Sequence, residues 1–168
     1  QFNESILYLT SIGYLERDQQ GTPNPFNYNY WGSPVGPVGA GSNNNPRSVN
    51  QVMRDGTDSN APVAIQWTGN YTAPDTTPIS LSTRWVYAYE NYVANTYANW
   101  RYIGNNETFN AGLAHIMKGS GKTNPPVSGL QNYVFMGKPN NETISTPITP
   151  WFNALVGNPY PSAIDANA

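Results

Sequence analysis

Residues 18–39 read DQQGTPNPFNYNYWGSPVGPVG and bring three large rings, Tyr28, Tyr30 and Trp31, into four positions, with Asp18 the only charge in the stretch. Rings of this kind offer flat apolar faces, and the Asn, Gln and Asp side chains around them can bond hydroxyl groups. Together they are the parts of a sugar-stacking site built from Tyr28, Tyr30, Trp31 and Asp18. The same residues have a plainer use. Pro23, Pro25 and Pro34 fix φ and lower the entropy lost on ordering a long connection, so the rings would pin that connection to a sheet. The sequence favours pinning and keeps ligand contact as the alternative.

Other residue types raise other chemistries. Asp55-Gly-Thr-Asp58-Ser-Asn60 supplies oxygen ligands at the short spacing that Ca²⁺ accepts, which makes Asp55 and Asp58 the candidate metal residues. It lacks the ordering and closing Glu of an EF-hand, and Asp-Gly is equally an ordinary turn. The reading is therefore no cofactor, with Ca²⁺ as the alternative. Glu16 and Asp18 would project to one face of a strand, with Arg17 on the other, and Glu90 ends an aromatic run. Paired carboxylates of this type are what glycoside hydrolysis needs. Nothing distinguishes these from solvated edge residues. His115 is the single histidine, within GLAHIMKG. No G-x-S-x-G elbow accompanies it, so a Ser-His-Asp unit is not supported. Catalysis is not expected.

The elements that must position these groups are short. Fifteen Gly and fifteen Pro are spread through the chain, leaving few windows long enough for a helix. Strand patterns recur at 6–9, 14–16, 63–67, 84–91, 98–103, 113–118, 132–137 and 151–156. In 84–91, Trp85, Tyr87 and Tyr89 face one way, and Val86, Ala88 and Glu90 the other. Trp67, Trp85 and Trp100 fall in such runs and are expected to anchor the core. Residues 21–50 read as one long structureless loop. The fold expected is all-β, an antiparallel β-sandwich of jelly-roll type, with residues 1–168 forming one domain.

Composition narrows the class. Aromatics make up 13% of the 168 residues, which argues against disorder, while charged residues make up only 11%. Eight Lys and Arg never cluster, so a nucleic-acid partner is not expected. No apolar run approaches the ~20 residues of a membrane span. Cysteine is absent, which removes thiol catalysis and zinc–thiolate sites. The chain starts at Gln1 without an initiator Met, as in a processed chain or a piece of a longer one.

Several strings go beyond composition. YLERDQQGTPNPFNYNYWGSPV (14–35), VMRDGT (52–57), IQWTGNY (65–71), RWVYAYEN (84–91), NAGLAHIMKG (110–119), MGKPNNETI (136–144) and LVGNPYPSAID (155–165) occur in this order. The chain thereby resembles a β-rich module of adhesin-like surface proteins that Bacteroidota export by the type IX secretion system. The resemblance covers nearly the whole chain, and GNPYPSAID is its most specific string. It implies a structural or adhesive role at the cell surface, attached to the outer membrane, as in gliding bacteria. It implies the secretion machinery as a partner during export, and glycans, other surface-protein chains or further copies as partners afterwards. Such proteins carry a sorting domain downstream, which makes these residues a fragment in expectation. The resemblance supplies no catalytic residues. It implies one modification, an O-glycan at Asp75-Thr76-Thr77, on Thr76.

Overall fold

The computed structural model describes residues 12–39, 44–93, 96–121 and 129–165. The strand expected at 6–9 lies outside them. In chain order the strands are β1 (Leu15–Gly21), β2 (Tyr28–Gly32) and β3 (Val35–Gly36), followed by a one-turn helix α1 (Val49–Val52). Then come β4 (Met53–Asp55), β5 (Val63–Ala64), β6 (Gln66–Thr68), β7 (Ser80–Ser82), β8 (Tyr87–Ala88), β9 (Tyr92–Val93) and β10 (Arg101–Tyr102). The longest strands close the set: β11 (Ala114–Lys118) and β12 (Gln131–Pro139), with a short β13 (Phe152–Asn153) after them.

Two antiparallel sheets make an all-β sandwich. One runs β1-β12-β4-β5, with β3 also paired to β12; the other runs β10-β8-β11-β2. Two small ribbons, β13-β9 and the parallel pair β6-β7, flank them. The β12 strand organises the first sheet because it pairs with β1, β3 and β4. Its alternation sends Tyr133 and Phe135 into the core, where both are fully buried.

The residues read as a structureless loop at 21–50 contain β2, β3 and α1. The Asn-rich sequence looked like loop because its side chains are turn formers. Here they close a turn instead: Asn29 accepts from the Thr22 amide and donates to the Thr22 carbonyl across the β1–β2 connection. Strand β2 then carries Trp31 inward, to 3% exposure. Its ring meets Tyr133 edge-on at 5.0 Å and Phe135 at 6.1 Å, joining the two sheets. Room for it comes from Gly21, where a Cβ would stand 2.6 Å from the Trp31 ring.

Trp67 is half-buried and packs against the core, as expected, while Trp85 and Trp100 are half-buried at the surface and do not anchor it. The pattern at 84–91 has the anticipated alternation, but Val86 and Ala88 are the inward set. Its first turn is 3-10 helix (Thr83–Trp85) and only Tyr87–Ala88 pair as strand. The pattern at 63–67 is broken between β5 and β6: Ile65 is buried, while Val63 is 46% exposed.

Glycine permits close backbone approach at two further positions. A Cβ on Gly137 would lie 1.8 Å from the Gly36 carbonyl oxygen, and one on Gly157 would lie 2.6 Å from the Gly32 Cα. The Asn140 amide donates to the Pro159 carbonyl at 2.7 Å, and the Tyr160 hydroxyl donates to the Glu142 carbonyl. The GKPNNET and GNPYPSAID strings therefore dock on one another.

Truncating Trp31 empties the junction between the sheets. Trp31→Ala is expected to cost about 3–5 kcal/mol, and denaturant unfolding of the variant measures it. Gly21→Ala should unfold at lower denaturant than the wild type by the same assay, because its methyl group would need the space of the Trp31 ring.

Candidate functional site

The period of two that buries Trp31 turns Tyr28 and Tyr30 to the opposite face of the second sheet. Register extends that face across the strands. Tyr30 lies opposite Ile116, Ile116 opposite Tyr87, and Tyr87 opposite Tyr102. Two residues along, Tyr28 lies opposite Lys118. The outer face of β10-β8-β11-β2 is thus a tyrosine row with one aliphatic and one cation in it.

Loop residues raise walls around this row. A cavity of about 440 Å³ is lined by Tyr30, Tyr89, Thr96, Tyr97, Trp100, Asn153, Ala154 and Leu155. A second, of about 250 Å³, is lined by Tyr28, Tyr87, Tyr97, Ala98, Trp100 and Ile116. A third, of about 650 Å³, is lined by Gly69, Tyr71, Thr83, Arg84, Trp85, Tyr87 and Tyr102. Tyr97 and Trp100 are common to the first two, and Tyr87 to the last two. The three are successive sections of one groove.

The groove walls are ordered by ring contacts. Trp100 meets Tyr89 edge-on at 5.1 Å, Tyr87 meets Tyr102 at 5.8 Å, and Tyr71 meets Trp85 at 5.6 Å. The Trp85 indole donates to the Tyr71 carbonyl at 2.7 Å. Tyr97, by contrast, is 84% exposed and Tyr30 66%, so both present free faces. Burial raises the Tyr28 and Tyr87 phenols above their ordinary value, and neighbouring Tyr97 adds to both shifts. Tyr102 and Tyr71 also raise Tyr87, and Arg84 opposes them. The Tyr28 and Tyr87 phenols therefore stay protonated at neutral pH, able both to donate and to accept. Among the described lining residues there is no carboxylate and no imidazole.

The residues singled out from the sequence divide accordingly. Tyr28 and Tyr30 belong to the groove. Trp31 does not: it is buried on the other side of the same strand, which corrects its candidacy as a ligand contact. Asp18 lies on β1 in the other sheet, accepts from the Asn132 amide at 2.6 Å, and lines a different depression with Arg17, Pro34 and Tyr160. The sequence missed Trp85, Tyr87, Tyr97 and Trp100 as groove residues. Alternation at 85, 87 and 89 was the available signal, but it could not say which face was solvent.

Asp55 is a buried acceptor rather than an open metal ligand. One carboxylate oxygen accepts from the Thr57 amide at 2.9 Å, the Thr57 hydroxyl at 2.6 Å and Gln131 Nε2 at 3.4 Å. The other accepts from the Ile79 amide at 2.9 Å. Asp58 accepts from the Asn60 amide in an exposed turn. Among the described residues no three His, Cys, Asp or Glu side chains group as a metal site. Glu90 is ion-paired with Arg101, as is Glu107. Thr76 is half-buried and its hydroxyl donates to the Pro78 carbonyl at 2.8 Å.

His115 faces inward, edge-on to Phe109 at 5.7 Å, with the Arg47 guanidinium 4.6 Å over the same ring. Arg47 is itself buried and donates to the Asn110 and Leu113 carbonyls. Burial first, and Arg47 second, push His115 down to about 3. It is a neutral core imidazole.

No helix of the described residues is long and apolar enough to cross a membrane. Comparison with protein-family models, curated proteins and solved structures finds no match.

Two interior groups give measurable outcomes. Asp55→Ala strands the donors it serves and is expected to cost about 3 kcal/mol, read from denaturant unfolding. The unfolded chain protonates His115 near its ordinary value and the folded chain only near 3. Its contribution is therefore complete above pH ~6.5 and is lost as pH falls from there toward 3. Melting temperatures across that window should decline less steeply for His115→Gln than for the wild type.

Proposed function

We propose that this chain is a non-catalytic adhesive module that binds glycans through the aromatic groove on its second sheet. The observation that carries the reading is the run of three adjoining cavities walled by tyrosine and tryptophan. Stacking on such rings suits the apolar faces of sugars, and the clustered phenols suit their hydroxyl groups. Tyr and Trp place large contact area under few torsions, so little side-chain entropy is lost on binding. The resemblance to exported surface proteins of Bacteroidota supports the setting: the cell surface, reached through type IX secretion. Low charge supports it as well, since there is little Coulomb energy for variable salt to screen.

A glycan array followed by calorimetry on its hits tests this. Tyr97→Ala and Trp100→Ala are expected to weaken binding by about tenfold or more, which at ~1.4 kcal/mol per decade is within the worth of one lost stacking contact. Tyr97 is mostly exposed, so its variant should melt with the wild type. Absence of any glycan hit, or binding indifferent to both substitutions, overturns the reading.

A further inference from the structure

We infer that the groove prefers acidic glycans, sugars bearing a carboxylate, over neutral ones; this rests on the glycan-binding reading above. The argument starts from two cations. Lys118 projects from β11 with its ammonium 3.6 Å from the centre of the Trp85 ring and 5.3 Å from that of Tyr28. Tyr28 lines the middle section of the groove and Trp85 the outer one; Lys118 lines neither itself, but its ammonium is held between these two rings. Arg84 lines the outer section, its guanidinium 4.5 Å over the Tyr71 ring and its Nε donating to the Gly69 carbonyl.

Neither cation is paired with a carboxylate among the described residues. Lys118 has ring faces for partners, and Arg84 has one ring face and one carbonyl. The acid-bearing pairs belong to Arg101 instead. The groove is therefore locally positive in a chain whose formal net charge is −2. Ring faces hold both cations in place without neutralising them. A carboxylate on a stacked sugar completes what the protein leaves open: it accepts from Lys118 or Arg84 while the ring lies on Tyr97, Trp100 or Tyr30. The Tyr87 phenol, which feels Arg84, is the adjoining donor.

Calorimetry on the full chain with polygalacturonate and alginate oligomers, each against its methyl ester, separates charge from shape. The esters keep the sugar ring and lose the carboxylate charge. The acid forms are expected to bind about tenfold tighter than their esters at low salt, as two partly exposed ion pairs would give. That margin should shrink as salt rises toward about 1 M. The double variant K118Q/R84Q should bind acid and ester forms with equal affinity. Lys118→Arg should retain the margin.

Equal binding of acid and ester forms overturns the preference and leaves the glycan-binding reading standing. A margin that survives K118Q/R84Q overturns the assignment to these two residues. If no oligomer binds and the chain instead self-associates through a contact that Tyr97→Ala abolishes, the groove is an interface between copies, and both readings fall.

Discussion

The contact of Trp31 with Tyr133 and Phe135 is the constraint on which the remaining geometry depends. It fixes the separation of the two sheets, and it also fixes which way β2 faces. Because side chains alternate along a strand, a one-residue slip would expose Trp31 and bury Tyr28 and Tyr30. Such a slip would also forfeit the packing of the indole against Tyr133 and Phe135. The core therefore selects the register, and the register delivers two tyrosines to the groove. Site and core are two faces of one five-residue strand.

The same logic accounts for three glycines. Gly21 yields its side-chain volume to the Trp31 ring, Gly137 lets β12 approach β3, and Gly157 lets the C-terminal described segment cross β2 at Gly32. From there the chain runs over the second sheet: Leu155 bonds both Tyr89 and Ala114, and Gly157 bonds Gly112. This crossing sets Asn153, Ala154 and Leu155 along one end of the groove. GNPYPSAID thus belongs to scaffold, with Asn140 and Glu142 receiving it.

Much of the sandwich was legible in the sequence because antiparallel strands with turn punctuation leave a period-two pattern. The alternation of Trp85, Tyr87 and Tyr89 against Val86 and Ala88 was legible for the same reason. What local pattern lacks is the sign of a face. Trp85 and Trp100 were expected inside because large rings usually are, yet aliphatic Val86, Ala88 and Ile103 fill that layer completely. Trp31 posed the opposite difficulty. Its neighbours are Asn, Gly and Pro, and its burial is decided by β12, a strand about a hundred residues away in sequence. The cavities join residues from β2, β8, β10, β11 and β13 with several of the connections between strands, an assembly that no single window of sequence contains. Asp55 misled through its spacing: Asp-Gly-Thr-Asp reads as ligand-rich, but Thr57 turns back to serve Asp55 itself.

A sheet face with so many rings would invite unspecific association were the rings free to splay. They are not. Edge contacts lock Tyr89 to Trp100 and Tyr87 to Tyr102, while Tyr71, Trp85 and the Lys118 ammonium brace one another. A wall held in this way is already close to its bound shape, so a ligand loses mainly its own freedom on entering. On the proposed reading the two cations supply the selectivity, and ring faces hold both in place. In a chain with few charges, little else competes with them for an anion. On the proposed reading, ring, phenol and cation act together, and a neutral ligand of the same outline would engage only the first two.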